Sequence, residues 1–258
     1  MNHKHVEDII QKQNAEVSVI FRDTNQTQII FEHNTHVQMR SASIIKLFIL
    51  AVCAKAFDDG ALSPDKILDI SPDALVSFSL ITDLKTRNWR IDDLASLMII
   101  LSDNTATNVL IDLLGLDQIN TYITDHGYKN TKLNRKMMDF ESAKKGFDNY
   151  TSLHDVGKLL LKMYSDAERG SKSALWMLDV LSKQKDKCML ARFLPETVEF
   201  AHKTGLNDGV QHDVGFLKLH NKTYLLGVFM EGEPNEIKGF ECIGSIGKTF
   251  YMEVQNGL

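Results

Sequence analysis

Apolar positions fall into different patterns along the chain. Residues 4 to 13 carry apolar side chains at helical spacing, which predicts a short amphipathic helix. Val17 to Arg22 and Gln28 to Glu32 are rich in β-branched and aromatic residues, and the polar turn Asp23 to Gln26 between them predicts a hairpin. From Ser43 to about Phe57 the chain is apolar nearly all round, the mark of a helix buried inside a domain, with Gly60 ending it. Further helices are predicted over 92–101, 105–114, 117–126, 152–164 and 172–184, with Asp, Asn, Thr or Ser near several starts and Gly115 and Gly127 near two ends. After Leu194-Pro195 the pattern turns to strands: Val198 to Lys203, Val210 to Leu219 and Thr223 to Glu231, with Asn221-Lys222 at the last turn. A final helix over 236–254 contains Gly239, Gly244 and Gly247, which count against its regularity. Strands at both ends with helices between predict an α/β (α+β) fold with one antiparallel sheet made from both termini. Residues 1–40 plus 196–258 would form a discontinuous sheet domain, and 41–195 an inserted helical domain.

Composition narrows the partners. The 258 residues carry a net charge of −5, with 43% hydrophobic and 24% charged, which excludes disorder and leaves room for a large core. The 29 basic residues are outnumbered by 34 acidic ones and form no stripe, so no nucleic-acid partner is expected. The longest apolar run, Ile44 to Cys53, is interrupted by Lys46 and falls short of the roughly 18 residues of a membrane span. The first residues lack a continuous apolar stretch and a small-residue cleavage site, so a cytoplasmic location is the expectation, with a periplasmic or secreted one the alternative were a leader to precede them. Cys53, Cys188 and Cys242 are odd in number and lack CxxC spacing, which suits reduced thiols better than disulfides or zinc. No metal or cofactor is expected, and the chain is expected to act as a monomer on a small-molecule substrate.

Three short segments carry candidate chemistry. Ser43-Ile44-Ile45-Lys46 places a hydroxyl and an amine on one helical face, a nucleophile with a base in reach. Ser-x-x-Lys occurs five times, starting also at Ser63, Ser142, Ser182 and Ser245, so the spacing alone selects nothing. The Ser43 copy differs in opening a helix too apolar to be solvated, though a lysine snorkelling from a core helix fits the same residues. Ser102-Asp103-Asn104-Thr105 joins two predicted helices, where Ser, Asp and Asn also suit a plain N-cap role. Lys203-Thr204-Gly205 ends a predicted strand, and its glycine lets another backbone or a substrate approach the strand edge.

Ser-x-x-Lys, Ser-Asp-Asn and Lys-Thr-Gly, in that order and on a helix start, an inter-helix turn and a strand end, form the set of class A β-lactamases and penicillin-binding proteins. The chain resembles a class A β-lactamase or a close serine-hydrolase relative of the penicillin-recognising superfamily. The likeness extends to Ile91-Asp92-Asp93-Leu94-Ala95, to Thr105-Ala106-Thr107-Asn108-Val109-Leu110, and to Thr131-Lys132-Leu133-Asn134-Arg135, which looks like the opening of that family's Ω-loop. The resemblance implies a β-lactamase/transpeptidase-like fold and a metal-free acyl-enzyme mechanism. It implies that Ser43 is the nucleophile, Lys46 its proton acceptor and Ser102 a relay to the leaving nitrogen. Asn104 would orient Lys46 and the substrate amide. Lys203, Thr204 and Gly205 would bind the substrate and its carboxylate, and the N–H groups of Ser43 and Leu206 would form the oxyanion hole.

One position departs from the pattern. The family's deacylating glutamate stands two residues after the loop arginine, and two after Arg135 is Met137, which cannot accept a proton. Glu141 or Asp139 could replace it, or both could be loop charges pairing with Arg135. The resemblance therefore leaves three readings: β-lactam hydrolysis with slow deacylation, an esterase, amidase or peptidase of the same fold, and a penicillin-binding or sensing protein that stays acylated.

Overall fold

The structure, a computed structural model, describes residues 3–25 and 29–257. The N-terminal part comprises α1 (Lys4–Gln11), β1 (Glu16–Asp23), β2 (Ile29–His33) and β3 (Met39–Arg40). A helical region follows: α2 (Lys46–Asp58), β4 (Ile67–Asp69), α3 (Leu80–Asp83), β5 (Asn88–Arg90), α4 (Ile91–Ile100), α5 (Asn104–Leu114), α6 (Leu116–Asp125), α7 (Phe140–Lys144), β6 (Tyr150–Thr151), α8 (Leu153–Glu168) and α9 (Lys172–Ser182). The chain closes with β7 (Glu199–Asn207), β8 (Val210–Leu219), β9 (Lys222–Glu231) and α10 (Glu236–Gln255).

One antiparallel sheet joins the two ends of the chain in the order β2-β1-β9-β8-β7. Strand alternation sends side chains into two separate cores. Ile20, Val214, Phe216, Leu225 and Phe229 join the core that α2, α4, α5 and α8 fill, with α8 packed on β1 and β9, whereas Val19, Phe21, Leu217, Leu226 and Val228 join the core under α10. Phe250 of α10 stacks on Phe21 at 4.4 Å between ring centroids, and truncating such a ring costs about 3–5 kcal/mol. Helix α2 is buried along most of its length, as its all-round apolar pattern predicts, and supplies a rigid base for what lies at its start.

Several local expectations need correction. The hairpin forms, but Gln26 and Gln28 lie outside the described residues. The last turn is made by His220 and Asn221, both with positive φ, and Lys222 already opens β9; this suits a two-residue hairpin that follows the sheet's twist. Lys203-Thr204-Gly205 is not a strand end: β7 runs on to Asn207, carried by continued pairing with β8. The glycines of α10 do not disturb its 20 residues. A Cβ on Gly247 would sit 2.7 Å from the Leu190 carbonyl, so the helix needs a bare face where it presses on that segment. The short strands β3 to β6 and helices α3 and α7 were not anticipated. Each is two to five residues, and each strand exists only through its partner.

Candidate active site

Ser43 lies in a 3-10 turn, Ala42–Ile45, that runs straight into α2. In such a turn residues three apart nearly eclipse, so Ser43 and Lys46 leave the backbone on one side. The Ser43 N–H belongs to a first helical turn, where amide donors lack intrahelical partners. Strand β7 is the sheet edge and lies against this turn. A Cβ on Gly205 would stand 2.9 Å from Ile44 Cγ1 and 3.3 Å from the Ser41 carbonyl, so the glycine admits another backbone, that of the Ser43 turn itself.

Lys46 is fully buried and is not left as a snorkelling charge. Its Nζ donates to the Ser102 carbonyl at 2.7 Å, to Asn104 Oδ1 at 2.9 Å and to Ser102 Oγ at 3.1 Å. As an ammonium it matches three donors to three acceptors. As a neutral amine it keeps two N–H bonds to the two carbonyl oxygens, and its lone pair is left for a hydroxyl proton. Burial pushes its pKa well below the ordinary lysine value, the charge of Lys203 pushes the same way, and Asp103 opposes them. Lys203, also fully buried, donates to Thr204 O at 2.5 Å and to Ser102 Oγ at 3.2 Å. Burial brings its pKa down to about 8 against the pull of Asp186 and Asp213. Ser102 Oγ thus joins the two lysines, and its residue is held at a φ of +55°, a sparsely populated conformation for a serine.

The Ser-Asp-Asn turn divides its labour. Asp103 is the N-cap of α5 through Ala106 N–H at 2.8 Å, and the same carboxylate accepts from Ser79 Oγ and Ile81 N–H. The cap reading therefore holds for Asp103, while Ser102 and Asn104 turn toward Lys46. Asn104 Nδ2 lies 3.3 Å from Met138 Sδ.

Residues 132–150 form a loop closed by reciprocal backbone bonds between Lys132 and Tyr150 at 2.9 and 3.1 Å. Inside it, Arg135 pairs with Asp148 at 2.7 Å, and Asn149 Oδ1 accepts from the N–H groups of Asn134 and Arg135. Asn108 grips Met137 at both backbone groups, accepting its N–H at 2.8 Å and donating to its carbonyl at 3.1 Å. Met137 is thereby fixed in the wall of a cleft of about 570 Å³ that Ser43, Ser102, Asn104, Thr204 and Leu206 also line. The structure does not bring Glu141 to this cleft: it points to solvent and pairs with Lys144 at 3.0 Å. Asp139 is spent on the N-terminus of α7, accepting from Ser142 N–H and Oγ, and neither carboxylate takes Arg135, which Asp148 holds. Asn108, Asn149 and Asp186 escaped the sequence reading. Asn108 carried a signal, since it follows Asn104 by one turn on the same helical face.

A model of the β-lactamase enzyme family matches residues 3–254. The chain belongs to that family. Among solved structures, a β-lactamase from Sphaerobacter thermophilus is 26% identical, with a TM-score of 0.88 and 98% of each chain covered. PBP-A is 25% identical with a TM-score of 0.88, covering 98% of this chain and 96% of its own, and a mutant PBP-A has been captured as an acyl-enzyme complex with penicillin G. A β-lactamase from Chitinophaga pinensis, 20% identical over 98% of each chain, shares the fold with a TM-score of 0.90. A search of curated protein sequences found no match. The β-lactamase/transpeptidase-like architecture expected from the three motifs is thus the fold of this family member.

Proposed function

We propose that the protein is a serine hydrolase that opens β-lactam-like amides through an acyl-Ser43 intermediate. The observation that carries this reading is the buried Lys46, whose pKa is lowered and whose partners leave a lone pair available once it is neutral. Ser43 Oγ attacks the carbonyl carbon while its proton passes to Lys46, and the oxyanion is received by the N–H groups of Ser43 and Leu206. The C–N bond then breaks as Ser102 delivers its proton to the leaving nitrogen and recovers one from Lys46. Lys203 and Thr204 hold the substrate carboxylate. Penicillin treatment followed by intact mass and peptide mapping should find one adduct, on Ser43. An adduct on Ser63, Ser142, Ser182 or Ser245 instead would overturn the assignment.

Met137 favours a particular form of this activity, in which the acyl-enzyme is long-lived. Hydrolysis needs its own water activation, and losing the general base slows that step by roughly 10² to 10⁴. This supports a penicillin-binding protein with slow turnover over a fast β-lactamase. A burst of about one equivalent, then slow release, is the expected time course.

A further inference from the structure

Three consecutive polar residues, Gln211-His212-Asp213, stand fully buried near the start of β8, the strand between β7 and β9. A buried polar side chain costs free energy unless its hydrogen bonds are made, so each needs partners. Asp213 has His202 Nδ1 at 2.7 Å and the Leu190 N–H at 2.9 Å, and Gln211 donates to the Glu233 carbonyl at 3.1 Å. Side chains alternate along a strand, so His212 points to the opposite face, the one that packs on the Ser43 turn. There its Nε2 lies 2.9 Å from the Arg40 carbonyl, and its Nδ1 lies 3.1 Å from the Met230 nitrogen and 2.8 Å from the Gln211 carbonyl. A carbonyl can only accept, so Nε2 carries the proton. Burial pushes the pKa of the ring down to about 4, which leaves it neutral, and Nδ1 accepts the Met230 N–H. Phe229 stacks on the ring at 4.3 Å between centroids and holds its plane.

The Arg40 carbonyl belongs to the same peptide unit as the Ser41 N–H, which donates to the Asn149 carbonyl at 2.8 Å. That peptide plane is therefore pinned at both polar ends, by β8 on one side and by the 132–150 loop on the other. The units before and after it are tied as well: the Arg40 N–H donates to Glu231 Oε2 at 3.0 Å, and the Ser41 carbonyl accepts the Ile44 N–H at 2.9 Å. What these ties enforce is Ala42, whose φ of +43° is a conformation that a residue with a Cβ keeps only where its surroundings over-determine it. Ser43 follows directly. His212 does not line the cleft, so it reaches the chemistry only through this backbone. We propose that His212 is a positioning residue for Ser43: by fixing the Arg40–Ser41 peptide it sets the strained Ala42 step, and with it the direction of the Ser43 hydroxyl and N–H. Its effect on acylation rests on the reading of Ser43 as nucleophile; the placement of the turn does not.

The test uses two variants that each keep one of the two hydrogen bonds. His212→Gln puts an N–H donor where Nε2 stands and keeps the link to Arg40. His212→Asn puts a carbonyl where Nδ1 stands, keeps the link to Met230 and is too short to reach Arg40. Each leaves one buried group without its partner, so a histidine that only supports the fold predicts similar losses in both. With penicillin G, the acylation rate constant should fall about 10- to 100-fold in His212→Asn and stay within about threefold of wild type in His212→Gln, with the dissociation constant of the pre-covalent complex unchanged in both. Equal losses in the two variants, or the larger loss in His212→Gln, would overturn the proposal. A second arm starts from the wild-type protein and needs no chemistry: the nitrogen chemical shifts of His212 should show a protonated Nε2 and a bare Nδ1, and the reverse tautomer would overturn the proposal. The backbone amide resonances of Ala42 and Ser43 should then move in His212→Asn and hold in His212→Gln. That pattern in a protein that no penicillin acylates would uphold the positioning and sink the nucleophile reading. Resonances that stay put in both variants would overturn the positioning.

Discussion

The two walls of the cleft are built from opposite chemistry. On one, Lys46, Ser102, Asn104 and Lys203 form a continuous chain of hydrogen bonds, each carried by a buried or tightly capped segment. On the other, Met137 and Met138 offer thioethers and no titratable group, although Asn108 fixes Met137 as firmly as any residue of the polar wall. The polar wall comes from α2, the α4–α5 turn and β7, and the methionine wall from residues 132–150. On the proposed function, the groups that make an acyl bond and those that would hydrolyse it belong to separate elements, and Met137 leaves the second without a carboxylate at that position. A change in one wall should alter one half of the reaction and spare the other.

The sharpest way to break this division is at the polar wall. Ser43→Ala should abolish the penicillin adduct altogether, read by intact mass. Lys46→Ala should keep the adduct site and slow its formation on the order of 10² to 10⁴-fold. Lys203→Ala should weaken carboxylate-bearing substrates and affect a neutral ester much less. Equal losses on both would mean that Lys203 supports the fold of the site and not the anion.

The methionine wall makes the complementary case. Met137→Glu puts a carboxylate at a backbone position that Asn108 already fixes, and should accelerate release of the acyl group by about 10²-fold or more with acylation nearly unchanged. Single-turnover traces separate the two rates. A burst that persists unchanged in this variant would show that something other than the missing carboxylate limits hydrolysis.

How much of this was legible beforehand depended on whether neighbours in sequence or in space decide the conformation. The buried helix α2, the long strands β8 and β9 and the order of the three motifs are written in local apolar pattern and spacing. The tight turn at His220-Asn221, the extent of β7 beyond Gly205 and the short strands β3 to β6 are set by cross-strand partners that no local window contains. The same holds within the site. Ser43, Lys46 and Ser102 could be singled out as candidates from the three motifs taken together, whereas the direction of Glu141 follows from its place on α7, a short helix that Asp139 caps and that the loop pattern does not announce.

pH offers a gentler probe of the polar wall. Lys203, with its pKa near 8, is charged below that pH and loses its charge above it, so KM for an anionic substrate should climb toward tenfold per unit beyond about pH 8. A neutral ester should lack this alkaline limb. On the proposed mechanism Lys46 must be neutral to take the Ser43 proton, so acylation of either substrate should fall as pH drops through its own lowered pKa. The effect on stability has the opposite sign. Both lysines bind protons less tightly folded than unfolded, so between about pH 8 and the ordinary lysine value of 10.5 the unfolded chain holds more protons, and these two groups make the fold more stable as pH rises. Loss of anion binding without loss of thermal stability across that range separates titration of Lys203 from alkaline unfolding.

The smallest expected effect falls on the residue that the sequence offered as a substitute base. Glu141 stands on α7 with its side chain 76% exposed, one turn from Lys144, and such surface pairs at i,i+3 contribute little because water and salt screen them. Glu141→Gln should therefore leave Tm, acylation and the slow release phase where they are, and adding Met137→Glu on top should give the same gain as Met137→Glu alone. The comparison has force because a rerouted loop predicts the reverse. If Glu141 swung into the cleft once Ser43 was acylated, Glu141→Gln would deepen the burst and slow release by at least tenfold. That swing must break the cap on Ser142 that holds α7, so Asp139→Asn would then change release as well. Unchanged release in both variants places the water-activating deficit on Met137.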